Sequence, residues 1–234
     1  MGYKQFSDQL KKAANKRDAE ILQWFFKTGK GEYGEGDKFL GIKVPGIRAI
    51  AKKNKDLTYK EIQKALKSKY HEERLAALLI LVENYSKCSK EEKDKIAEFY
   101  LANTKHINNW DLVDLTAPKI LGKHLVDKNR KILYTFARSA DLWERRIAIL
   151  STFEFIRNKD FKDSLKISKI LLKDEHDLIH KAVGWMLREI GKRDLAVEED
   201  FLLKHYNKMP RTMLRYAIEK FPERKRRAYL EGTK

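Results

Sequence analysis

The feature that most constrains the fold is a regular spacing of similar helical segments along the chain. Apolar residues recur at steps of three and four, as in "SLKISKILLKD", which is typical of amphipathic helices. We place five residues in the second helix of successive helical pairs, at spacings of 36, 36, 35 and 34: Arg74, Trp110, Arg146, Lys181 and Arg215. Such a repeat predicts an all-α, HEAT-like helical-repeat solenoid, with a three-layer helical bundle as the alternative.

Local signals indicate where several helices begin. Thr58 with Glu61, and Ser89 with Glu92, have the spacing of capping boxes. The four prolines each fit a helix edge or first turn, although the second of them can instead end or bend its helix: Pro45, Pro118, Pro210 and Pro222.

The chain is interpreted as a single domain over residues 1–234. Its length and its 42% of hydrophobic residues are sufficient for a buried core. The parts we expect are an N-terminal helical cap over residues 1–57, stacked helical hairpins over 58–222 and a C-terminal basic tail over 223–234.

The charge of the chain concerns its partners. Lys and Arg number 51 against 34 Asp and Glu, a formal net charge of +17, which suits nucleic acid; the alternative is a lysine-rich surface that is merely solvated. The longest apolar run, residues 75–82, is too short to cross a membrane. We therefore expect a cytoplasmic monomer, associated with the nucleoid when bound to DNA, that has no membrane partner.

One of the five positions of the repeat register does not hold a basic residue. Four of the five matching positions hold a basic residue, and stacked repeats would line these along a concave, basic DNA-binding face. The third position lies in "HINNWDLVDLTAP", where Trp110 is followed by two aspartates. Asp111 suits the first turn of a helix, so we interpret it as structural. Asp114 shares a helix face with Trp110, for which a core aromatic is the alternative interpretation.

Two later segments add to this one. "DLWERRIAIL" contains Trp143 and Arg146, and "HKAVGWMLREIGKR" contains Trp185 and Arg188. Together with "NWDLVD" and the segment "GDKFLGIKVPGIRAIAK", they resemble the bacterial alkylpurine DNA glycosylases of the AlkD type, which are HEAT-like proteins. The resemblance covers about residue 37 to about residue 222.

The resemblance implies hydrolysis of the N-glycosidic bond of cationic N3- or N7-alkylpurines in double-stranded DNA, without a flipped-out base. A fixed carboxylate would stabilise the cationic sugar of the transition state, and we assign this catalytic role to Asp114. Trp110 and Trp185 would contact the cationic nucleoside through their ring faces, and Arg146 would clamp a phosphate. The further residues expected to bind substrate or DNA are Trp143, Arg188, Arg74, Lys181 and Arg215.

Two other functions are compatible with the same sequence features. The alternatives are a non-catalytic helical-repeat scaffold that binds DNA or RNA, and a protein-interaction solenoid whose charge is incidental. His176 and His180 have a metal-like spacing but lack a clear third ligand. We therefore predict an enzyme that uses no metal and no cofactor.

Overall fold

The computed structural model describes residues 2–234, and within that range the chain forms fourteen α-helices. The β-type pairing of the described residues amounts to an isolated parallel bridge between Lys38 and Tyr70. The prediction of an all-α, HEAT-like fold is confirmed. None of the described helices is long and apolar enough to cross a bilayer.

Two compact units divide the chain, the first ending at Thr116. Its helices are α1 (Tyr3–Lys12), α2 (Lys16–Phe25), α3 (Val44–Lys53), α4 (Tyr59–Leu66), α5 (His71–Tyr85), α6 (Lys90–Ala102) and α7 (Trp110–Thr116). Helix α5 is the centre of this unit and packs against α3, α4, α6 and α7. Its run from Leu75 to Leu81 is buried on all sides, which explains why this segment is continuously apolar.

The second unit runs from Ala117 to Lys234. After a π-helical turn (Pro118–Gly122) come α8 (Lys131–Phe136), α9 (Leu142–Arg157), α10 (Lys162–Ile170), α11 (Asp177–Gly191), α12 (Leu195–His205), α13 (Arg211–Ala217) and α14 (Glu223–Glu231). Helices α9 and α11 pack on each other, and α11 also packs against α13. Residues 223–231 of the predicted basic tail thus form a helix, whose Tyr229 is buried.

The repeat register matches every second helix. Its five residues lie in α5, α7, α9, α11 and α13, which follow the partner helices α4, α6, α8, α10 and α12. The predicted helical pairs are therefore present along the chain. The chain forms two compact units, and the interpretation of residues 1–234 as a single domain remains a prediction.

One predicted capping box is complete and the other is half formed. The Thr58 hydroxyl accepts the Glu61 N–H, and the Glu61 carboxylate accepts the Thr58 N–H at 2.9 Å. The Ser89 hydroxyl likewise accepts the Glu92 N–H, but the Glu92 carboxylate accepts the Tyr59 hydroxyl at 2.7 Å instead. Glu92 thereby ties α6 to α4.

The prolines stand at helix starts, and Pro118 adds a feature of its own. Pro45 lies in the first turn of α3, and Pro210 and Pro222 immediately precede α13 and α14. Helix α7 ends at Thr116, and Pro118 opens a turn in which the Gly122 N–H bonds to the carbonyl five residues earlier, at 2.8 Å. This wider turn accommodates a proline ring that an α-helical turn would exclude.

Candidate functional site

Trp110 and Asp114 lie one turn apart on α7 and line the same pocket, which has a volume of about 400 Å³. Both side chains are half-buried. The Trp110 ring stacks on Phe26, with centroids 5.1 Å apart and planes 16° apart, and meets the edge of Phe25 at 6.0 Å. The contacts with Phe25 and Phe26 restrict how the Trp110 ring can turn.

The surface that faces the pocket is almost entirely apolar, although several charged residues contribute to its walls. Its walls come from α2 and α3, from the segments that follow α2 and precede α3, and from α5 and α7. The apolar lining includes Leu22, Phe25, Phe26, Phe39, Ile42 and Leu75, and the charged lining is Lys43, His71, Glu72, Asp111 and Asp114.

Buried Glu72 fixes the segment that leads into α3. Its carboxylate accepts the backbone N–H groups of Leu40 at 2.9 Å, Gly41 at 2.8 Å and Ile42 at 3.2 Å. Gly41 has φ of +84°, and a β-carbon there would overlap the backbone carbonyl of Asn15. Glycine is therefore required where this segment passes α2.

Behind the pocket, four buried charged side chains form a chain of alternating sign. The Asp111 carboxylate lies 2.8 Å from His71 Nε2, and the Asp37 carboxylate lies 3.4 Å from His71 Nδ1. Asp37 also accepts Arg74 Nη2 at 2.6 Å. The order Asp111, His71, Asp37, Arg74 places an opposite charge beside every buried charge, as burial requires.

The protonation of this chain follows from its neighbours. Burial by itself would lower the pKa of His71, but the charge of Asp111 and the hydrogen bonds to Asp111 and Asp37 raise it to about 9. Burial acts to raise the pKa of Asp37, yet the hydrogen bond from His71 and the charge of Arg74 hold that pKa below its ordinary value. At neutral pH His71 is therefore an imidazolium between two carboxylates.

Asp111 was interpreted as a structural residue in the first turn of a helix, and in the structure it also contacts His71. It lies in the first turn of α7, where an aspartate favours the helix dipole, and it is bonded to His71. Asn109 completes this end of the helix by accepting the Trp110 N–H at 2.8 Å.

Sequence reasoning missed His71, Asp37 and Phe26. His71 and Asp111 are forty positions apart, and Asp37 precedes His71 by thirty-four, so no short spacing links them. Phe26 lies in the "WFF" motif at 24–26, and the sequence does not indicate that its members differ so sharply in burial: Trp24 is 82% exposed and Phe26 is buried.

Three of the residues predicted to contact DNA are buried: Arg74, Arg146 and Trp143. Arg74 is bonded to Asp37 and to the Ser68 carbonyl. Arg146 on α9 is buried and donates to the Leu178 carbonyl at the start of α11, and Trp143 belongs to the core of the second unit. At Arg74 and Arg146 the repeat turns its side chains into the protein, so the basic register is not a continuous exposed track.

The other predicted residues of the second unit reach the surface in part. Trp185 is half-buried beside Phe153, with ring centroids 5.9 Å apart. Lys181 pairs with Asp177 at 2.6 Å, and Arg188 pairs with Glu219. The exposed residue Arg215 lines a second cavity of about 410 Å³. Trp110 and Asp114 belong to the first unit, so the predicted site residues are shared between the two units.

The two histidines with metal-like spacing have structural contacts. His176 caps α11 by accepting the Leu178 N–H at 3.1 Å, and His180 contacts the Asp174 carbonyl. Over residues 2–234, no group of three or more His, Cys, Asp or Glu side chains is arranged to hold a metal ion.

The fold and the pocket define a helical-repeat protein with an apolar, aromatic pocket that Trp110 and Asp114 both line. The chain belongs to the DNA alkylation repair enzyme family, whose sequence model matches residues 6–221. The match confirms the coarser part of the resemblance seen in the sequence, and it gives the protein a role in DNA alkylation repair.

Solved structures agree on the fold. A predicted DNA alkylation repair enzyme from Enterococcus faecalis superposes with a TM-score of 0.69 at 17% identity, covering 90% of this chain and 97% of its own. The protein smu.31 from Streptococcus mutans UA159 gives a TM-score of 0.56 at 17% identity, covering 94% and 99%. No curated protein sequence matches the chain significantly.

Proposed function

We propose that this protein is a DNA glycosylase that hydrolyses the N-glycosidic bond of cationic N3- or N7-alkylpurines in duplex DNA. The observation that carries the proposal is that Trp110 and Asp114 line one apolar pocket. Membership of the alkylation repair family supports the choice of DNA as substrate. A concave, basic face that receives the duplex, with Trp185, Lys181, Arg188 and Arg215 as DNA contacts, is part of the same proposal.

The reaction needs little acid catalysis because the base already carries a positive charge. As the bond from C1′ to the purine nitrogen breaks, its electron pair returns to the base, which leaves neutral. Water forms the new bond to C1′ and releases a proton to solvent. Positive charge develops on the deoxyribose in the transition state, and the Asp114 carboxylate opposes it within an apolar surround.

Trp110 contributes through its ring face. An indole face attracts a cation with about 0.5–2 kcal/mol, and more of this is retained when the site is dry. The stack on Phe26 and the edge contact with Phe25 hold the ring before substrate arrives. Part of the ordering of this ring is therefore already present in the free protein, which favours binding.

Asp114→Asn tests the assignment, because it removes the charge and hardly changes the shape. We expect the single-turnover release of 7-methylguanine and 3-methyladenine from methylated duplex to fall about 100-fold or more, with duplex affinity and melting temperature retained. Asp56→Asn, the same change at an exposed position of the first unit, is the matched control and should leave all three measurements unchanged.

The same measurements separate the alternatives. If the unaltered protein binds methylated duplex but releases neither base, a non-catalytic scaffold replaces the glycosylase. If Asp114→Asn loses affinity and melting temperature together with activity, Asp114 is a structural residue and the proposed assignment is wrong.

A further inference from the structure

The feature that the proposed reaction leaves unused is the buried imidazolium next to the pocket. We propose that His71 is a positioning residue: by bridging Asp37 and Asp111 it holds the first turn of α7, and with it Trp110 and Asp114, at the pocket. Its effect on excision rests on the proposed function, whereas its effect on the placement of Trp110 does not.

His71 reaches α7 by two routes. The first is the 2.8 Å contact from Nε2 to Asp111, which directly follows Trp110 in the chain. The second is a stack of rings: the imidazole lies 4.6 Å from Phe39 and 5.0 Å from Phe26, and Phe26 in turn stacks on Trp110. A displacement of His71 would therefore shift both the backbone at Trp110 and the position of its ring.

The bridge requires the protonated ring. An imidazolium donates from both nitrogens, whereas a neutral imidazole has a single N–H and can donate to one aspartate only. Asp37 has other donors, namely Arg74 and the side-chain amides of Asn108 and Asn109. After loss of the proton, one of the two buried carboxylates faces a nitrogen lone pair, so the ring and the first turn of α7 must rearrange.

The charged groups that face His71 set the pH at which this happens. They are Asp111 from α7, Asp37 from the segment before α3, and Arg74 from α5 itself. Burial and Arg74 lower the pKa of His71, and the two aspartates outweigh them, so its pKa is about 9. The bridge is therefore complete at neutral pH and is lost as the pH rises through about 9.

The placement of Trp110 can be measured without activity. We would incorporate 5-fluorotryptophan, assign the four ¹⁹F signals by Trp→Phe substitution, and titrate the free protein from pH 7 to pH 10. The Trp110 signal should shift with a midpoint near pH 9, and the signal of exposed Trp24 should not follow it. In His71→Gln the Trp110 signal should be displaced at pH 7 and should lack the alkaline step.

Two further variants control the titration. His106→Gln makes the same change at a half-buried histidine of the first unit that does not line the pocket, and it should behave as the unaltered protein. Asp111→Asn removes the charge that raises the pKa of His71, so the midpoint should move to lower pH. The unaltered protein and Asp111→Asn keep the test decisive if His71→Gln does not fold.

Excision is measured in parallel at pH 7. His71→Gln should release methylated bases about 100-fold more slowly, as expected when a reacting group is displaced by about 1 Å. A Trp110 signal that is unchanged from pH 8 to pH 10, or identical in His71→Gln and the unaltered protein, would overturn the proposal. If that signal responds as expected while the unaltered protein releases no base, His71 positions α7 and the glycosylase proposal alone fails.

Discussion

Single buried carboxylates behave very differently in the two units, according to what faces them. In the first unit, Glu72 is buried against three backbone N–H groups. In the second unit, Glu198 is equally buried, but its Oε1 has no hydrogen-bond partner among residues 2–234. Its carboxylate lies where a β-carbon of Gly191 would stand, so α11 and α12 approach closely there.

The burial of this carboxylate makes stability depend on pH. Burial raises the pKa of Glu198 from 4.5 to about 8, with a further contribution from the charge of Glu199. The folded state therefore holds a proton that the unfolded state releases above about pH 4.5. Because the folded state binds more protons in this range, the contribution of Glu198 to stability falls as the pH rises from about 4.5 to about 8.

Glu198→Gln should remove this loss, since the amide is neutral and nearly the same shape. At pH 8 we expect the free energy of unfolding to increase by on the order of a few kcal/mol, with little change at pH 4.5. Urea unfolding at a series of pH values measures both. Exposed Glu175→Gln is the control, expected to change stability by less than about 0.5 kcal/mol. Equal free energies of unfolding of Glu198→Gln and the unaltered protein at pH 8 would show that ionisation of Glu198 does not destabilise the folded state.

The sequence predicted which side chains share a face of one helix, but it did not predict contacts between residues that are far apart in the chain. Trp110 and Asp114 are one turn apart on α7, so helical periodicity was sufficient to place them on the same face. The contact of His71 with Asp111 depends on how α5 meets α7, which no local pattern encodes. For the same reason the register located Arg74 and Arg146 on the right helices but did not predict that they are buried.

Among the helices, close packing depends on where side chains are small. Gly184 on α11 lies against α13, and a β-carbon there would stand 2.5 Å from Tyr216 Cβ and too close to the Met213 carbonyl. The motif "GWMLRE" thus contains a packing residue beside Trp185. The turn after α7 is a second such place, because a β-carbon at Gly122 would lie 2.5 Å from the Ser151 carbonyl of α9.

Gly184→Ala should therefore destabilise the protein by about 1–3 kcal/mol, the usual cost of overpacking, although alanine is the better helix former. Gly46→Ala on α3 is the matched control: there the β-carbon meets only a side-chain methyl of Ile42, at 3.1 Å. Thermal unfolding followed by circular dichroism compares the two. A Gly184→Ala protein as stable as Gly46→Ala would mean that α11 and α13 can move apart at little cost.

The sequence predicted which segments are helical, but it predicted less well where each helix begins and ends. The complete capping box at Thr58 follows from local chemistry, whereas at Ser89 the glutamate is taken by Tyr59 from another helix. Pro118 indicated an irregularity without specifying the π-helical turn, because the accommodation of its ring depends on the packing of that turn against α9.

For the whole molecule, charge and exposure have to be considered together. The net charge of +17 predicted a nucleic acid partner, and membership of the alkylation repair family agrees with DNA. The sequence could not indicate which cations are available, because pairing and burial remove several of them. Arg146 is buried and bonded to the Leu178 carbonyl, whereas Arg215 is exposed beside a cavity.

This difference predicts opposite consequences for two Arg→Ala changes. If Arg215 contacts a phosphate, Arg215→Ala should reduce the slope of log K against log salt by about one unit and leave stability unchanged, because one fewer counterion is released on binding. Arg146→Ala should lower the melting temperature, since it removes a buried side chain that links α9 to α11.

Fluorescence anisotropy of a labelled duplex between about 50 and 200 mM salt measures the slope, and thermal unfolding measures stability. A slope that both variants share with the unaltered protein would remove Arg215 from the DNA contacts. Binding that ignores salt altogether would favour a protein-interaction solenoid over any DNA-binding function.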